Sequence, residues 1–333
     1  RFGLTSDTAA GTDMRYQPKK VEAARNFCNK VYNASRFVMM NLGDGELQPV
    51  DMSITDIADK WILHRLNEVA EAVTANLDSF DLNLAVDKIY SFIWTEFCDW
   101  YIEMAKPRLY GEDEAQKANV RAILVHVLKN SMKLLHPFMP FITEEIWQAL
   151  PHGDEVEEGS FLMLQSWPEH RDELDFPDEE KAMELIMDAI RAVRTRRSEM
   201  NVPPSKKAHL TVATDEAKVF ELGVPFLKKL AYAGEVTIVP AGQTSEGAGQ
   251  VTVVTHAAQL SMPLAELVDM EKEKARMEKE RKKNFDELQK LNAKLANPGF
   301  VNKAPAHVVE AEKERAVKLN ELVAKLEEQL TNM

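Results

Sequence analysis

Residues 264–296 read LAELVDMEKEKARMEKERKKNFDELQKLNAKLA, and Asn297-Pro298-Gly299-Phe300 follow them directly. Apolar side chains recur in this stretch at spacings of three and four residues, which is typical of one buried stripe along a helix. Proline and glycine together interrupt a helix, and a second stripe of the same kind runs from Val309 to Leu330. The two stripes and the reversal between them predict an antiparallel coiled coil. Such an arm has no room for a catalytic pocket and is built to contact something large.

Length and composition exclude several classes of protein. The chain has 333 residues, of which 45% are hydrophobic, enough for two or three domains with sizeable cores. Its two cysteines, Cys28 and Cys98, fall inside helical patterns, which favours reduced thiols over a secreted disulfide scaffold. No apolar run is long enough to span a bilayer, and no targeting segment is present. Position 1 is Arg, which leads us to expect a piece of a longer chain.

The charge distribution is more informative than the total. A net charge of −13 argues against simple nucleic-acid binding. However, residues 1–41 contain seven basic and three acidic residues, and residues 276–303 contain eight basic and four acidic residues. Two basic surfaces on an acidic chain can hold a long polyanion at two points, although solvated helix faces also explain them.

The rest of the chain is predicted to be mainly helical, with a short region of mixed structure. We predict a connector over 1–17, a helix bundle over 18–170, a small α+β module over 171–263 and the arm over 264–333. The expected helices are 18–41, 53–77 with Ser53 as N-cap, 81 to about 107, 113–135, one ending near 150, and 178–200. The expected elements of the module are strands 209–212, 236–239 and 251–255, and a helical segment 215–230 with a candidate break at Pro225.

Motifs for chemistry are absent from the sequence. It contains no Cys-x-x-Cys, no His-Glu-x-x-His and no glycine-rich phosphate loop, so we predict neither a metal site nor a catalytic centre. The first long helix is more suggestive, because cations, amides and an aromatic ring recur on or near one face. That mixture suits single-stranded RNA, in which bases stack on aromatic rings and hydrogen-bond to amides and guanidinium groups. The alternative is that the amides bridge neighbouring helices and the aromatic ring, Phe37, belongs to the core.

Four motifs resemble the bacterial valyl-tRNA synthetases, a family of class I aminoacyl-tRNA synthetases. Residues 25–37 (RNFCNKVYNASRF) are similar to the start of that family's anticodon-binding bundle, and residues 96–101 (EFCDWY) match the same region. Residues 135–147 (LHPFMPFITEEIW) are shared with related synthetases for branched aliphatic amino acids. Residues 295–312, which contain LANPGFVNKAP and VVEAE, resemble the family's C-terminal coiled coil and are the discriminating motif.

The resemblance implies both a fold and a function. The fold is a class I synthetase anticodon-binding helix bundle, a small α+β module and a C-terminal antiparallel coiled-coil hairpin. The function is that of the tRNA-binding region of a valine-tRNA ligase, in which the bundle recognises the anticodon of tRNA(Val) and the coiled coil contacts the tRNA elbow. Such a ligase attaches valine to tRNA(Val) with ATP.

The resemblance also sets the expected limits of this chain. In the family the catalytic and editing domains and both ATP signature motifs lie upstream. We therefore expect this chain alone to be inactive in aminoacylation and to hold no cofactor, since ATP and Mg²⁺ belong to the catalytic domain. The expected parent protein is cytoplasmic and monomeric and does not contact a membrane.

Site residues follow from the same resemblance, position by position. On the anticodon face, Phe37 would stack on a base and Lys30 would meet a phosphate or a base acceptor. On the arm, Lys290 and Arg315 resemble family positions that face the tRNA elbow. The additional candidates are Lys20, Arg25, Asn29, Asn33 and Arg36 for the anticodon, and Arg276, Lys279, Lys283 and Lys294 for phosphates of the elbow.

Two alternatives stay open at this stage. A coiled coil fits a protein-interaction module equally well, whereas the basic stretch before the turn and the polar first helix favour RNA. The same region of an isoleucyl- or leucyl-type synthetase is disfavoured by the arm and by the lack of a cysteine-rich zinc module.

Overall fold

The structure is a computed structural model of the chain. It describes residues 1–6, 16–43, 46–152, 160–243, 249–267, 270–297, 299 and 306–331, with the backbone alone at 270–277, 280, 306–308, 325–326 and 328–331. The chain forms two compact units: the first comprises Arg1–Ala192, Thr214–Ala231 and Thr255–Ala258, and the second comprises Val193–Ala213, Tyr232–Val254 and Gln259–Met333. Each unit is made of segments that are not consecutive in the chain, whereas the sequence predicted four consecutive domains. The boundaries of those four domains therefore stay predictions.

The first unit is built from helices. They are α1 (Phe2–Thr5), α2 (Pro18–Met40), α3 (Ile57–Asp78), α4 (Leu82–Ser91), α5 (Ile102–Leu109), α6 (Glu114–Leu135), α7 (Pro140–Ala149), most of α8 (Pro177–Glu199) and α9 (Ala217–Leu230). Short 3₁₀ turns occur at Met52–Ile54, Leu162–Leu164 and Asp172–Leu174, and a π-helical segment, Phe92–Tyr101, joins α4 to α5. The prediction of a mainly α fold is confirmed.

Helix α2 shows how an amphipathic sequence positions the candidate site. Pro18 occupies its first turn, where a missing N–H costs nothing because that donor has no partner within the helix. Phe27, Val31 and Val38 are each at most 1% exposed and follow helical spacing. This stripe packs against the π-helical segment, α6 and α7, which leaves the opposite face of α2 in solvent.

The start of α3 corrects a prediction. Ser53, expected as the N-cap, instead lies in the 3₁₀ turn, where its N–H donates to Asp51. Asp56 caps α3 in a reciprocal capping box, in which its side chain accepts from the Asp59 N–H and the Asp59 carboxylate accepts from the Asp56 N–H. The reciprocal box satisfies the N–H groups of both Asp56 and Asp59, which favours the later start.

The helix expected to end near Pro107 ends at Leu109, with Pro107 inside the last turn of α5. Proline removes one intrahelical hydrogen bond, and so close to a helix end the cost is small enough for packing to outweigh it. Pro225 likewise lies inside α9, which does not break.

A buried polar cluster ties α3 to the helices that follow it. Asp59 is 0% exposed, and its Oδ1 accepts from the Tyr101 hydroxyl at 2.7 Å and from Arg108 Nη2 at 2.7 Å. Arg108 Nη1 donates to the second oxygen, which makes the pair bidentate. Burial raises the pKa of neighbouring Asp56 to about 6, and repulsion from Asp59 adds to the effect.

The second unit contains a four-stranded sheet of order β2-β1-β4-β3, formed by β1 (Ala208–Thr214), β2 (Ala233–Pro240), β3 (Gln250–Val254) and β4 (Ala258–Pro263). Strands β3 and β4 are antiparallel, with Gln250 opposite Pro263 and Val254 opposite Gln259. Three strands were predicted, whereas β4 was missed. Its sequence, AQLSMP, has no β-branched residue, and its strand character comes from its internal position in the sheet.

The arm begins with α10 (Leu264–Leu267) and consists of the long helices α11 (Met270–Ala296) and α12 (Ala306–Thr331). Arg281 in the first half of α11 pairs with Glu327 in the second half of α12, whereas Lys294 near the end of α11 pairs with Glu312 in the first half of α12. The two helices are therefore antiparallel, as predicted. The predicted apolar stripes supply their contact, since Leu288, Leu291, Val309 and Val323 are all buried.

The first testable prediction concerns Gly223, where α9 approaches α8. A Cβ at this position would lie 2.8 Å from Cγ1 of Ile186, closer than packed atoms allow. Helix propensity alone favours alanine over glycine by about 1 kcal/mol, but overpacking costs about 1–3 kcal/mol. We expect Gly223→Ala to lower the free energy of unfolding in urea titrations, and Ile186→Ala to reduce that loss in the double variant. Gly3→Ala, whose Cβ would meet atoms no nearer than 3.7 Å, is the matched control; equal stability of both alanine variants would contradict the prediction.

The second prediction concerns the pH dependence of stability. The pKa of Asp56 is raised from 3.8 to about 6 in the folded protein, so folding favours its protonated form. Its contribution is therefore fully present below pH 4 and is lost as the pH rises towards 6. We expect the stability difference between wild type and Asp56→Asn, measured by urea unfolding, to shift in favour of Asp56→Asn between pH 4 and pH 7. A constant difference over that range would show that Asp56 titrates normally.

Candidate nucleic-acid interface

The sequence candidates on α2 divide into two groups in the structure. Successive residues of a helix are rotated by about 100°, which places Arg25, Asn29, Lys30, Asn33, Arg36 and Phe37 within one broad face opposite the buried stripe. Lys20 does not join them. It lies over the buried stripe, where it lines a cavity of about 650 Å³ whose walls also include Phe2, Cys28 and Phe141.

Lys30 is held in place by two contacts. Its Nζ is 2.5 Å from Oδ1 of Asp99 and 4.9 Å from the ring centre of Trp94. The lysine side chain is 30% exposed and the Asp99 side chain is 44% exposed, so both remain accessible from solvent. Lys30 is therefore a half-exposed cation and not a core residue.

Phe37 has a similar environment on the same face. It is half-buried, which excludes the alternative that it is a fully buried core ring. The Nζ of Lys106 lies 5.4 Å from its ring centre, and the same ammonium forms an ion pair with Glu103. The half-buried ring of Phe37 therefore has a lysine ammonium over it.

The remaining polar residues of this face carry few constraints. Asn29, Asn33 and Arg36 are exposed, and Arg36 lies 5.9 Å from the ring centre of Tyr32. Arg25 makes a 3.5 Å ion pair with Glu22 on its own helix, an exposed contact of the kind that contributes about 0–1 kcal/mol. These side chains can reorient towards a ligand at little cost.

Four residues of this surface were not nominated from the sequence: Trp94, Asp99, Glu103 and Lys106. Asp99 lies in the quoted motif at residues 96–101, but helical spacing does not reveal which face of the 92–109 stretch meets α2. The packing of the π-helical segment against α2 brings Trp94 and Asp99 to Lys30, and Lys106 of α5 reaches the ring of Phe37.

On the arm, the candidate cations differ in how they are held. Arg315 pairs with Glu287 across the two helices, and Lys294 pairs with Glu312 at 2.7 Å. Lys290 is exposed and takes part in no ion pair among the residues that the structure describes. Lys279 and Lys283 are exposed, and the side chain of Arg276 lies outside the described residues.

Two clusters have the composition of a metal site. In the first, His64, Glu68 and Glu180 bring their polar atoms within 4.8 Å of one another. However, His64 Nδ1 accepts from the Phe176 N–H, so in the neutral ring the proton sits on Nε2 and leaves no lone pair for a metal. Arg65 already pairs with both glutamates. The second cluster, His170 with Asp172 and Asp175, is exposed and its members pair with one another.

No helix among the described residues is long and apolar enough to cross a membrane.

Two protein families match parts of this chain. Residues 59–213 match the anticodon-binding domain of tRNA ligases, and residues 269–333 match the valyl-tRNA synthetase tRNA-binding arm. The first match covers Trp94, Asp99 and Lys106, whereas α2 precedes it.

Curated relatives cover α2 as well. The valine-tRNA ligase of Clostridium acetobutylicum is 44% identical over 99% of this chain and 37% of its own length. The enzyme of Clostridium perfringens is 46% identical over 97% of this chain and 36% of its own length. The enzyme of Bacillus cereus is 44% identical over 94% of this chain and 35% of its own length. The chain thus spans little more than a third of the curated relatives it matches. Together, the two domain matches and the identity along nearly the whole chain show that it carries the anticodon-binding domain and the tRNA-binding arm of the valine-tRNA ligase family.

Proposed function

We propose that this chain binds tRNA(Val), reading the anticodon with one face of α2 and holding the tRNA elbow with the arm. The α2 face is the side of this helix that carries Arg25, Asn29, Lys30, Asn33, Arg36 and Phe37. The observation that carries the proposal is the α2 face itself, where amides, cations and a half-exposed phenylalanine lie together next to the region matched as anticodon-binding. Unpaired anticodon bases need such groups, because their edges form hydrogen bonds and their faces stack on aromatic rings.

The arm suits the second contact. Both of its antiparallel helices carry cations, including Lys290 on α11 and Arg315 on α12. A helical pair of this kind contacts the sugar-phosphate backbone through charge and reads no sequence, so it complements an anticodon reader.

The same proposal extends to the whole ligase. Binding at the anticodon and the elbow supports the ATP-dependent attachment of valine to tRNA(Val). In this proposal ATP and Mg²⁺ bind to a part of the ligase that lies outside this chain. We further propose a cytoplasmic, monomeric protein. The free thiols of Cys28 and Cys98 are consistent with a reducing compartment.

The third prediction tests the α2 face. Loss of one stacked base costs about 1–3 kcal/mol, so Phe37→Ala should weaken binding of tRNA(Val) about 5-fold to 150-fold. Lys30→Ala should also weaken binding. Both effects should shrink when an anticodon mutant of the tRNA is the ligand. Filter binding measures the affinity and thermal melting checks the fold; Phe80→Ala, which removes an exposed phenylalanine from the α3–α4 turn, is the control. Wild-type affinity of both α2 variants would refute the assignment of this face.

The fourth prediction tests the arm. Each phosphate contact contributes about 0.7–0.9 to the slope of log affinity against log salt, so Lys290→Ala should flatten that slope by about this amount. Lys290 is the cleanest choice, because changing Lys294 or Arg315 also removes an ion pair between the two helices. The ratio of affinities for tRNA(Val) and its anticodon mutant should not change. A lost anticodon preference would mean that Lys290 acts elsewhere, and Lys181→Ala on α8 is the control for a simple change in net charge.

A further inference from the structure

Two aromatic rings beside the exposed face of α2, those of Trp94 and Phe37, are each covered by a lysine ammonium group. Lys30 Nζ lies 4.9 Å from the ring centre of Trp94, and Lys106 Nζ lies 5.4 Å from that of Phe37. These distances are typical of cation–π contacts. A nucleobase stacks on the same face of a ring that an ammonium occupies, so base and lysine exclude each other.

Each lysine is in turn held by a carboxylate of the 92–109 stretch. Asp99 binds Lys30 and Glu103 binds Lys106, each at 2.5 Å. Asp99 lies near the end of the π-helical segment, and Glu103 follows four residues later near the start of α5. Lys30 and Phe37 are seven residues apart, about 10 Å along α2. The two arrangements therefore repeat along the line where α2 meets the 92–109 stretch.

Trp94 has the features of a second stacking ring. It is partly exposed, and its inner side is supported by Phe27 and Tyr90, with ring centres 6.4 Å and 5.6 Å away. A ring that is fixed from behind loses little conformational entropy when a base binds in front of it. Nothing in its sequence position distinguished it from a core tryptophan.

We propose that Asp99 and Glu103 are latches that keep Lys30 and Lys106 over Trp94 and Phe37 in the RNA-free protein, and that unpaired bases bind by displacing both lysines. The proposal rests on the RNA-binding function proposed above and adds its mechanism. Each lysine moves from its carboxylate to a phosphate of the incoming strand, and its ring receives a base. The freed carboxylate then takes up a cation from solution, which opposes the counterion release that favours RNA binding.

If Asp99 and Glu103 act as latches, removing either ion pair should raise the affinity for tRNA(Val) instead of lowering it. Exposed ion pairs contribute only about 0–1 kcal/mol to stability, so neutralising Asp99 or Glu103 should leave the fold intact. Asp99→Asn frees Lys30 and removes a negative charge from the path of the phosphate. We expect Asp99→Asn and Glu103→Gln each to raise affinity for tRNA(Val) about 3-fold to 10-fold, and to steepen the salt slope by up to about 0.7.

The experiment compares these variants of the full chain by filter binding at several salt concentrations, with thermal melting to check folding. Glu114→Gln is the matched control, because Glu114 forms the same kind of pair with Lys117 three residues on, and that lysine covers no aromatic ring among the described residues. It adds the same net charge without opening a ring. In a Lys30→Met background, Asp99→Asn should lose its effect beyond that of the control. Trp94→Leu should weaken binding to the wild-type tRNA.

The outcomes separate the latch from the function on which it rests. Tighter binding by the Asp99 and Glu103 variants that is absent in Glu114→Gln, together with loss of the Asp99→Asn effect in the Lys30→Met background, supports the proposal. If the wild-type chain binds tRNA(Val) and neither the Asp99 nor the Glu103 variant binds it more tightly, the latch proposal is wrong, while the RNA-binding function still stands. If the wild-type chain does not bind tRNA(Val) more tightly than its anticodon mutant, the proposed function fails and the latches fail with it.

Discussion

Asp59 has no exposed surface, and its carboxylate receives hydrogen bonds from residues as far as 49 positions away in the chain. Arg108 and Tyr101 bind its two oxygens, while its own N–H and carboxylate complete the cap of α3. A buried charge is tolerated only when it is paired and hydrogen-bonded, so this cluster locks α3, the π-helical segment and α5 together. The side of that stretch which faces α2 is thereby determined. Every contact of Lys30 and Phe37 with the 92–109 stretch depends on that orientation.

The π-helical segment adds a second constraint on the same surface. Its wider turns change the angular position of each following residue, so Asp99 does not fall where a regular helix would place it. π-Helical turns are rare and are often found at functional sites. Here the segment brings Trp94 and Asp99 to Lys30, and it continues into α5, where Lys106 pairs with Glu103 and lies over the ring of Phe37.

Much of this architecture can be predicted from local patterns, because local physics decides it. The stripe of α2, the reversal at Asn297 and the two helices of the arm all follow from helical spacing and helix-breaking residues. Strand β4 could not be predicted, since its residues prefer a strand only when β1 and β3 flank them. The N-cap of α3 was displaced from Ser53 to Asp56 because Asp59 completes a reciprocal cap. On the candidate site, the exposure of Asn29 and Arg36 follows from their distance to the stripe. The pairing of Lys30 with Asp99 depends on tertiary packing that no local signal encodes.

The two cysteines have a practical consequence for spectroscopy. Cys98 is buried next to the candidate surface, and burial raises its thiol pKa to about 12, so almost none of it is thiolate at neutral pH. Cys28 is only half-buried, but burial raises its pKa as well. The thiolate is the species that reacts with maleimides and similar reagents. A cysteine introduced at an exposed position of the arm would therefore react much faster than either native thiol, and dye labelling could follow that arm without first removing Cys28 or Cys98.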